Sequence, residues 1–323
     1  MAVDESITTP VLVLIGPTAI GKTDLSLRIA AEFDCEIISM DSMQVYRYMD
    51  IGTAKVGWEE RRQVAHHLID ILEPDEQYDA ACFVRDALAA IKIISSRGKI
   101  PLITGGTGLY LTALINGLFD AIDVSDEVKV NLRQRLVSEG REELYREMLR
   151  VDPESGARIH KNDTQRLLRG LEIFHSTGVP WSEHLRRQTQ SPRNSACASM
   201  LHLGLTCSRE LLYDRIKTRS IGMMHEYFQK EVELLLAKGF ARNLPSMQSI
   251  GYRHMSAWLA GELDLQTATA ALIQDTRRYA KRQMTWFRHH QVVRWHEIHC
   301  SDEVLVDIEL FLQEQQQGPR SAI

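Results

Sequence analysis

The 323-residue sequence predicts an α/β fold, in which a doubly wound parallel sheet forms the core and a helical domain is inserted into it. Short apolar runs alternate with segments of helical periodicity in the N-terminal part of the chain, which is typical of a parallel sheet. A glycine-rich turn joins the first apolar run to the first helical segment. Residues 123–198 then show helical periodicity without intervening strand-like runs, which indicates an insertion.

The predicted strands are short and rich in apolar residues. In chain order they comprise residues 11–15 (VLVLI), 36–40 (EIISM), 100–103 (IPLI), the alternating Leu201, Leu203 and Leu205, and residues 292–295. The first of them is apolar without interruption, as expected of a parallel strand that is buried on both faces. The alternation at Leu201 predicts that the chain returns to the sheet after the insertion.

Apolar residues at helical spacing predict the helices between these strands. After the glycine-rich turn they are Leu25, Ile29, Ala30 and Phe33, and after the second strand Phe83, Ala87, Leu88, Ile91 and Ile94. A long helix is predicted from about residue 264 to 289, and a polar loop over residues 186–195 closes the insertion. The predicted domains are therefore a core of residues 1–122 and 199–323 and an insertion of residues 123–198.

The composition limits the classes of protein that need to be considered. Hydrophobic residues make up 44% of the chain and charged residues 25%, and no apolar run approaches the roughly 20 residues of a membrane span. The acidic first ten residues do not resemble a signal peptide. Five cysteines without a CxxC pair suggest neither disulfides nor a zinc site. We therefore expect a cytoplasmic protein without a membrane partner, and a monomer, because no interface signature is present.

The glycine-rich turn matches the phosphate-loop pattern GxxxxGK[ST] between a predicted strand and a predicted helix, as the pattern requires. Its residues are Gly16, Pro17, Thr18, Ala19, Ile20, Gly21, Lys22 and Thr23. Backbone N–H groups and the helix N-terminus would face phosphate oxygens, Lys22 would neutralise a terminal phosphate, and Thr23 would bind Mg²⁺. The pattern does not distinguish a nucleotide from an allylic diphosphate, so from the loop alone a nucleotide kinase or NTPase is the first candidate.

Two further features follow predicted strands at the same edge of the sheet. Asp41 follows the second strand, where its carboxylate could act as a general base or bind Mg²⁺, or could merely cap the next segment. The sequence GGTG at 105–108 follows the third strand and could equally be an ordinary tight turn. No aspartate ends that third strand, as the usual magnesium-binding carboxylate of an NTPase would, which weakens the ATPase interpretation.

Basic residues are concentrated in one segment although the net charge of the chain is −5. Residues 276–295 contain six Arg or Lys and no acid, with Tyr279, Trp286, Phe287 and Trp295 among them. Arg and Lys can contact RNA phosphates, and aromatic rings can stack on unstacked bases. A solvated helix face with aromatic residues in the core is the alternative. Two smaller basic groups lie at residues 158–169 and 215–219.

Taken together, these segments resemble the bacterial tRNA dimethylallyltransferases, also called tRNA isopentenyltransferases. The matching stretches occur in the order of the family over almost the whole chain: GPTAIGKT (16–23), DSMQVYR (41–47), DIGTAK (50–55), HHLID (66–70), GGTGLY (105–110), NDTQRLLRGLE (162–172), IGYR (250–253) and AKRQMTWFR (280–288). The resemblance implies a P-loop doubly wound core with a helical insertion that contacts tRNA. It also implies that a dimethylallyl group passes from its diphosphate to the exocyclic 6-amino nitrogen of the adenosine 3′-adjacent to the anticodon, in tRNAs reading codons that begin with U.

The resemblance also assigns roles to residues. The loop 16–23 holds the diphosphate of dimethylallyl diphosphate together with Arg219 and Mg²⁺, with Thr18, Lys22 and Thr23 in the catalytic set and Asp41 as the general base. The expected contacts with the anticodon stem-loop of tRNA are Asp41, Ser42, Met43, Gln44, Thr107, Lys129, Gln165, Arg166, Leu167, Leu168, Arg169, Gln248, Ser249, Ile250, Gly251, Tyr252, Arg253, Thr276, Arg277, Arg278, Tyr279, Ala280, Lys281, Arg282 and Gln283.

The sequence departs from the family pattern at two places. Ile20 stands where Ser is commoner, and residues 223–227 replace a stretch that often contains glycine, which puts the local geometry near Arg219 in question. Three other functions stay open: a relative that prenylates free AMP or ADP, a small-molecule or nucleotide kinase, and a non-catalytic RNA-binding module. Labelled dimethylallyl diphosphate offered with tRNA or with AMP separates the first of these, a kinase would show ATP-dependent phosphorylation, and a binding module would bind RNA without turning over diphosphate.

Overall fold

The computed structural model describes residues 9–116, 122, 124–190, 199–289 and 292–317, and of residues 188–190 and 226 it describes the backbone alone. The chain divides into two compact units. A core unit comprises residues 1–115 and 195–323, and an inserted unit comprises residues 116–194. The predicted domain limits 123 and 198 fall among the residues outside the description, as does Cys197.

A six-stranded sheet in which all paired strands are parallel forms the centre of the core unit. Its strands are β1 (Val11–Ile15), β2 (Cys35–Met40), β3 (His66–His67), β4 (Ile100–Gly105), β5 (Met200–Thr206) and β6 (Val293–Glu297), in the spatial order β3-β2-β4-β1-β5-β6. The α/β fold class is thereby confirmed. Only β3 was not predicted, because two residues are too short for a periodic pattern to be recognised.

Helices cover both faces of the sheet, since apolar side chains of the strands alternate between two hydrophobic clusters. In chain order the helices of the core unit are α1 (Lys22–Glu32), α2 (Trp58–Gln63), α3 (Ala80–Ser96), α4 (Gly108–Asn116), α10 (Arg209–Met223), α11 (Glu226–Ala237), α12 (Tyr252–Leu259), α13 (Leu265–Arg288) and α14 (Ser301–Gln316), with α5 to α9 in the inserted unit. The long predicted helix is confirmed as α13, which Asp264 caps by accepting the N–H of Thr267.

A third hydrophobic cluster packs helices α11, α12 and α13 against the chain that follows β2. Val45, Tyr46 and Met49 of that segment are buried against Phe228 and Tyr252. This packing anchors the chain after the turn, and β2 anchors it before the turn, so the backbone that carries Asp41 is held on both sides.

The inserted unit consists of α5 (Asp126–Ser138), α6 (Arg141–Val151), α7 (Pro153–Arg158), α8 (Thr164–Thr177) and α9 (Trp181–Gln190) around one apolar cluster. The loop predicted over 186–195 is wrong for residues 186–190, which form the end of α9. Their polar side chains suit an exposed helix, because Arg186 and Arg187 form ion pairs with Glu183 one turn earlier. Residues 191–195 lie outside the described chain.

Candidate active site

The carboxyl ends of three strands meet at one edge of the sheet. Gly105 at the end of β4 pairs with Ile15 of β1 on one side and with Met40 of β2 on the other. The next residues along the chain, Gly16, Asp41 and Gly106, therefore converge at one edge of the sheet, as the sequence predicted. This is the edge at which ligands bind in open parallel α/β sheets.

The phosphate loop leaves β1 and enters α1 through a tight backbone turn. Gly21 has φ 104° and Ala19 has φ 66°, so two residues of the loop are left-handed, and only the glycine adopts that conformation without strain. The first turn of α1 consequently directs its free N–H groups and the positive end of its dipole at the cavity. Ile20 is 2% exposed and packs into the second hydrophobic cluster, so we expect its departure from the family pattern to leave the backbone cradle unchanged.

Side chains from distant elements hold this loop from outside. From α10, Arg215 Nε donates to the carbonyl of Ala19 (2.7 Å) and Arg219 Nη1 donates to Thr18 Oγ1 (3.2 Å). From α13, Gln283 Oε1 accepts the N–H of Thr18 (2.9 Å). The segment 223–227 ends α10 and begins α11, and Arg219, one turn earlier, keeps its contact with the loop.

Lys22 lies at the base of the loop, where Nζ donates to the carbonyls of Gly16 and Pro17, both at 2.9 Å. Burial lowers the pKa of Lys22 to about 8, Asp41 opposes this shift, and Arg219 reinforces it. Burial also lowers the pKa of Arg219, again against the attraction of Asp41. Two desolvated cations thus face one carboxylate, a charge distribution that favours the entry of an anion.

Asp41 caps the turn after β2 and also faces the site. Its Oδ1 accepts the N–H groups of Met43 (2.8 Å) and Gln44 (3.3 Å), so the predicted capping role is confirmed. The same carboxylate lines the cavity in front of Lys22 and interacts with its charge. Capping fixes the orientation of the carboxyl group, and this leaves it available to a ligand in the cavity.

Two adjoining cavities open at this edge, one of about 630 Å³ above the phosphate loop and one of about 320 Å³ beside it. They share the residues Thr18, Ala19, Asp41, Thr53, Arg219 and Tyr279. The smaller cavity mixes apolar walls from Met43, Ile250 and Leu272 with the guanidinium groups of Arg253 and Arg282. Asp41 therefore lies where a ligand on the loop would meet a second ligand in the neighbouring cavity.

Tyr279 of α13 belongs to this shared wall. Burial raises the pKa of Tyr279, and the Asp41 carboxylate raises it further, while hydrogen bonds with Thr107 and Gln283 oppose the shift in part. Thr107 Oγ1 in turn accepts the N–H of Ser42 (3.3 Å). The GGTG sequence is thus connected to the segment that follows Asp41, and is more than an isolated turn.

Many of the predicted tRNA contacts come together around the smaller cavity. Those that line it are Asp41, Ser42, Met43, Ser249, Ile250, Arg253, Thr276, Tyr279 and Arg282, and Gln44 lines the larger cavity. On α13, Arg278, Lys281 and Arg282 are exposed. In the inserted unit, the side chains of Lys129, Gln165, Arg166 and Arg169 are exposed or partly exposed and Leu168 is half-buried.

Other predicted tRNA contacts are buried or engaged within the protein. Leu167 is 1% exposed in the core of the inserted unit, and Tyr252 and Ala280 are fully buried, as is the backbone position of Gly251. Gln248 Nε2 donates to the carbonyl of Arg242. The guanidinium of Arg277 lies 4.9 Å from the ring centroid of Tyr213. These residues support the backbone of the predicted contact segments, whose exposed members form the surface.

Sequence reasoning did not single out several residues that line the larger cavity. Arg215 was noted only as a member of a basic group, although it precedes Arg219 by four residues and so shares its helix face. Thr53 and Ala54 belong to the matching stretch DIGTAK without an assigned role. Thr104 was missed because its hydroxyl belongs to an apolar strand; its Oγ1 is buried without a hydrogen-bond partner in the described part of the chain.

The oxygen atoms that could hold a divalent cation lie in the larger cavity. Thr23 lies in the first turn of α1, in the position that the loop pattern assigns to a Mg²⁺ ligand, and Asp41, Ser39 and Thr104 line the same space. Among the described residues, no group of three or more His, Cys, Asp or Glu forms a closed metal site. A sparse set of oxygen ligands fits Mg²⁺, which keeps several waters and relies on substrate phosphates.

The site contains a phosphate loop, two cations, and a carboxylate that lines a second cavity as well. These features define a P-loop protein that is equipped for group transfer from a phosphorylated donor. The family model described as IPP transferase matches residues 44–290, and the model described as isopentenyl transferase matches residues 9–67. The chain belongs to the tRNA dimethylallyltransferase family. The resemblance seen in its motifs is thereby confirmed.

Individual relatives match over nearly the whole chain. The tRNA dimethylallyltransferase of Desulfotalea psychrophila is 49% identical over 311 residues, which cover 96% of this chain and 98% of the relative. The full-length tRNA isopentenylpyrophosphate transferase of Bacillus halodurans is similar in structure with a TM-score of 0.69 and 37% identity, covering 96% of this chain and 98% of that one. A eukaryotic dimethylallyltransferase acting on tRNA has a TM-score of 0.75 and 28% identity over 90% of this chain and 74% of that one.

Among the described residues, no helix combines the length and the apolar character needed to cross a membrane.

Proposed function

We propose that this protein transfers a dimethylallyl group from dimethylallyl diphosphate to the exocyclic 6-amino nitrogen of the adenosine 3′-adjacent to the anticodon, in tRNAs that read codons beginning with U. The observation that carries the proposal is the position of Asp41, whose carboxylate lines both the cavity above the phosphate loop and the cavity beside it. A donor on the loop and an acceptor base in the second cavity would meet at this carboxylate.

The donor binds through its diphosphate. The N–H groups of the loop and the start of α1, together with Lys22 and Arg219, surround the space in which negative charge develops as the allylic C–O bond breaks. Groups that are fixed before the reaction and aimed at developing charge contribute most to such a step. Arg215 holds the loop at Ala19 and adds positive charge at its outer side.

Magnesium would be held by the Thr23 hydroxyl and by diphosphate oxygens. When bound, Mg²⁺ supplies a further positive charge that neutralises the departing diphosphate. Lys22 and Arg219 act on the same oxygens from the protein side, so the metal adds to a charge pattern that the chain already provides.

The acceptor nitrogen is a weak nucleophile because its lone pair is delocalised into the adenine ring. As the new C–N bond forms and the C–O bond to diphosphate breaks, Asp41 accepts the proton of the amino group, and diphosphate leaves with the bonding electrons. A positioned general base accelerates such a step by roughly 10²–10⁴. Since the base is stacked in an anticodon loop, it must be extracted at a cost of a few kcal/mol.

Exposed cations on two elements would offset that cost through phosphate contacts. On α13 these are Arg278, Lys281 and Arg282, and on α8 of the inserted unit they are Arg166 and Arg169. We further expect the protein to act as a monomer in the cytoplasm, where its tRNA substrates are found.

The test offers labelled dimethylallyl diphosphate with tRNA or with AMP, and separately offers ATP with AMP as the phosphoryl acceptor. Label transfer to tRNA supports the proposal, and nuclease digestion locates the modified adenosine. Label in AMP would instead identify an adenylate prenyltransferase. Phosphoryl transfer from ATP would identify a kinase, and tRNA binding without release of diphosphate would indicate a non-catalytic binding protein.

A further inference from the structure

Gln283 is a buried polar residue in the middle of α13, and the whole of its amide is engaged. It is 6% exposed. Its Oε1 accepts the N–H of Thr18 at 2.9 Å, and its Nε2 donates to the carbonyl of Gly106 at 2.9 Å. One side chain thus joins the phosphate loop after β1 to the GGTG turn after β4, across sequence separations of 265 and 177 residues.

The chemistry of the two partners requires an amide at this position. The N–H of Thr18 needs an acceptor and the carbonyl of Gly106 needs a donor, and Gln presents one of each on neighbouring atoms. A Cβ on residue 106 would lie 2.1 Å from Gln283 Nε2, so a glycine is needed for the approach. Buried groups of this kind are costly to leave without a partner, which ties the two loops to the helix.

The bond to Thr18 bears on the strained part of the phosphate loop. Thr18 precedes Ala19, whose φ of 66° is left-handed, and Arg219 contacts the side chain of the same threonine. The N–H of Thr18 points at Gln283 and is therefore not part of the anion cradle. Its role is to fix the crest of the loop, so that the N–H groups further along remain directed at the cavity.

We propose that Gln283 is a positioning residue for diphosphate binding and is not a contact to tRNA. The resemblance to the family places it in a tRNA-contact segment, but both polar ends of its side chain are used inside the protein. Its neighbours Lys281 and Arg282 are exposed on the same helix. The proposal rests on the proposed function and assigns two tasks to α13. Its exposed cations face tRNA, and the buried amide of Gln283 holds the loop that binds the donor.

The experiment compares Gln283→Glu and Gln283→Leu with Gln274→Glu and Gln274→Leu, matched changes at an exposed position of the same helix. Glutamate keeps an acceptor for Thr18 but places a negatively charged oxygen against the carbonyl of Gly106. Leucine removes both of these hydrogen bonds and the one with Tyr279. Calorimetry measures the affinity of each variant for inorganic pyrophosphate with Mg²⁺, and a labelled anticodon stem-loop measures RNA affinity. We expect about a tenfold or greater loss of pyrophosphate affinity at position 283, stem-loop affinity within about twofold, and wild-type values for both controls.

Loss of stem-loop affinity with unchanged pyrophosphate affinity would overturn the proposal, and so would equal loss of both or of neither. Because neither readout requires turnover, a wild-type protein that fails to prenylate tRNA would refute the proposed function without deciding the role of Gln283. Amide hydrogen exchange of the unmodified protein provides a measurement that no folding defect can obscure. The Thr18 N–H should be protected from exchange in the free protein. Rapid exchange there would contradict a stable hydrogen bond between Thr18 and Gln283.

Discussion

Asp41 combines a structural and a chemical task in one side chain, and the two can be separated by substitution. Its Oδ1 accepts two backbone N–H groups, which an asparagine carbonyl oxygen can also do. Asp41→Asn should therefore keep the turn and both substrate affinities while lowering kcat by roughly 10²–10⁴, because the general base is lost. Single-turnover kinetics of the purified variant measures this. Asp34→Asn, at an exposed turn, is the matched control, and near-normal turnover of Asp41→Asn would remove Asp41 from the chemistry.

Lys22 should give donor binding a pH dependence near pH 8. Burial lowers the pKa of Lys22 to about 8 in the free protein, whereas a bound diphosphate favours the charged amine and raises it. The affinity for dimethylallyl diphosphate is therefore complete below pH 8 and should fall as the pH rises above it. Titrations between pH 7 and 9 measure the effect. Lys22→Ala should bind more weakly and lose this dependence; an unchanged pH profile in that variant would assign the titration to another group.

Helix α13 shows how a segment that looks uniformly basic is divided by its surroundings. The sequence indicated RNA contacts at Arg277, Arg278, Lys281 and Arg282. In the structure Arg277 stacks on Tyr213, and Arg278 forms an exposed ion pair with Asp275. Helical periodicity locates the buried face, yet it cannot show which aromatic ring or loop a neighbouring element places there. The hydrogen bonds of Gln283 with Thr18 and Gly106 could not be predicted for the same reason, since both partners are distant in sequence.

The exposed pair on α13 makes a prediction at the level of the helix. Lys281→Ala combined with Arg282→Ala should weaken stem-loop binding, and each lost phosphate contact should reduce the log–log salt slope by roughly 0.7–0.9. Diphosphate affinity should be unchanged. Titration of labelled stem-loop over a range of salt concentrations measures the slope. Lys92→Ala, an exposed lysine on α3, is the control, and an unaltered slope in the double variant would exclude this helix from the RNA interface.

At the scale of the whole molecule, the sheet and the phosphate loop could be predicted because each is encoded locally. Val11–Ile15 matches its predicted strand residue for residue, and the loop pattern needs only the strand before it and the helix after it. The arrangement of the site depends on strand order and on packing between distant segments. The contacts of Arg215 and Gln283 with the loop join residues 196 and 265 positions apart, and no local pattern contains such information.

We expect the inserted unit to contact RNA and to have no part in binding the donor. The exposed face of helix α8 allows this expectation to be tested in the intact protein. Arg166 and Arg169 form ion pairs at 3.5 Å with Asp163 and Glu172, but their own side chains are 62% and 45% exposed, so these pairs are worth little and leave both cations available. Arg166→Ala with Arg169→Ala should raise the KM for tRNA several-fold and flatten its salt dependence, again by roughly 0.7–0.9 for each lost contact. The KM for dimethylallyl diphosphate should stay unchanged, because the phosphate loop belongs to the core unit.

Steady-state kinetics with each substrate varied in turn separates these effects, and Arg146→Ala, an exposed arginine on α6 of the same unit, controls for the loss of charge. Gln165→Ala should differ from the arginine changes if its amide reads a base, since it would alter the preference among anticodon loops more than the salt slope. Equal kcat/KM for tRNA in the double variant and the wild type would show that α8 does not contact RNA. A raised KM for the donor would show instead that the inserted unit influences the phosphate loop.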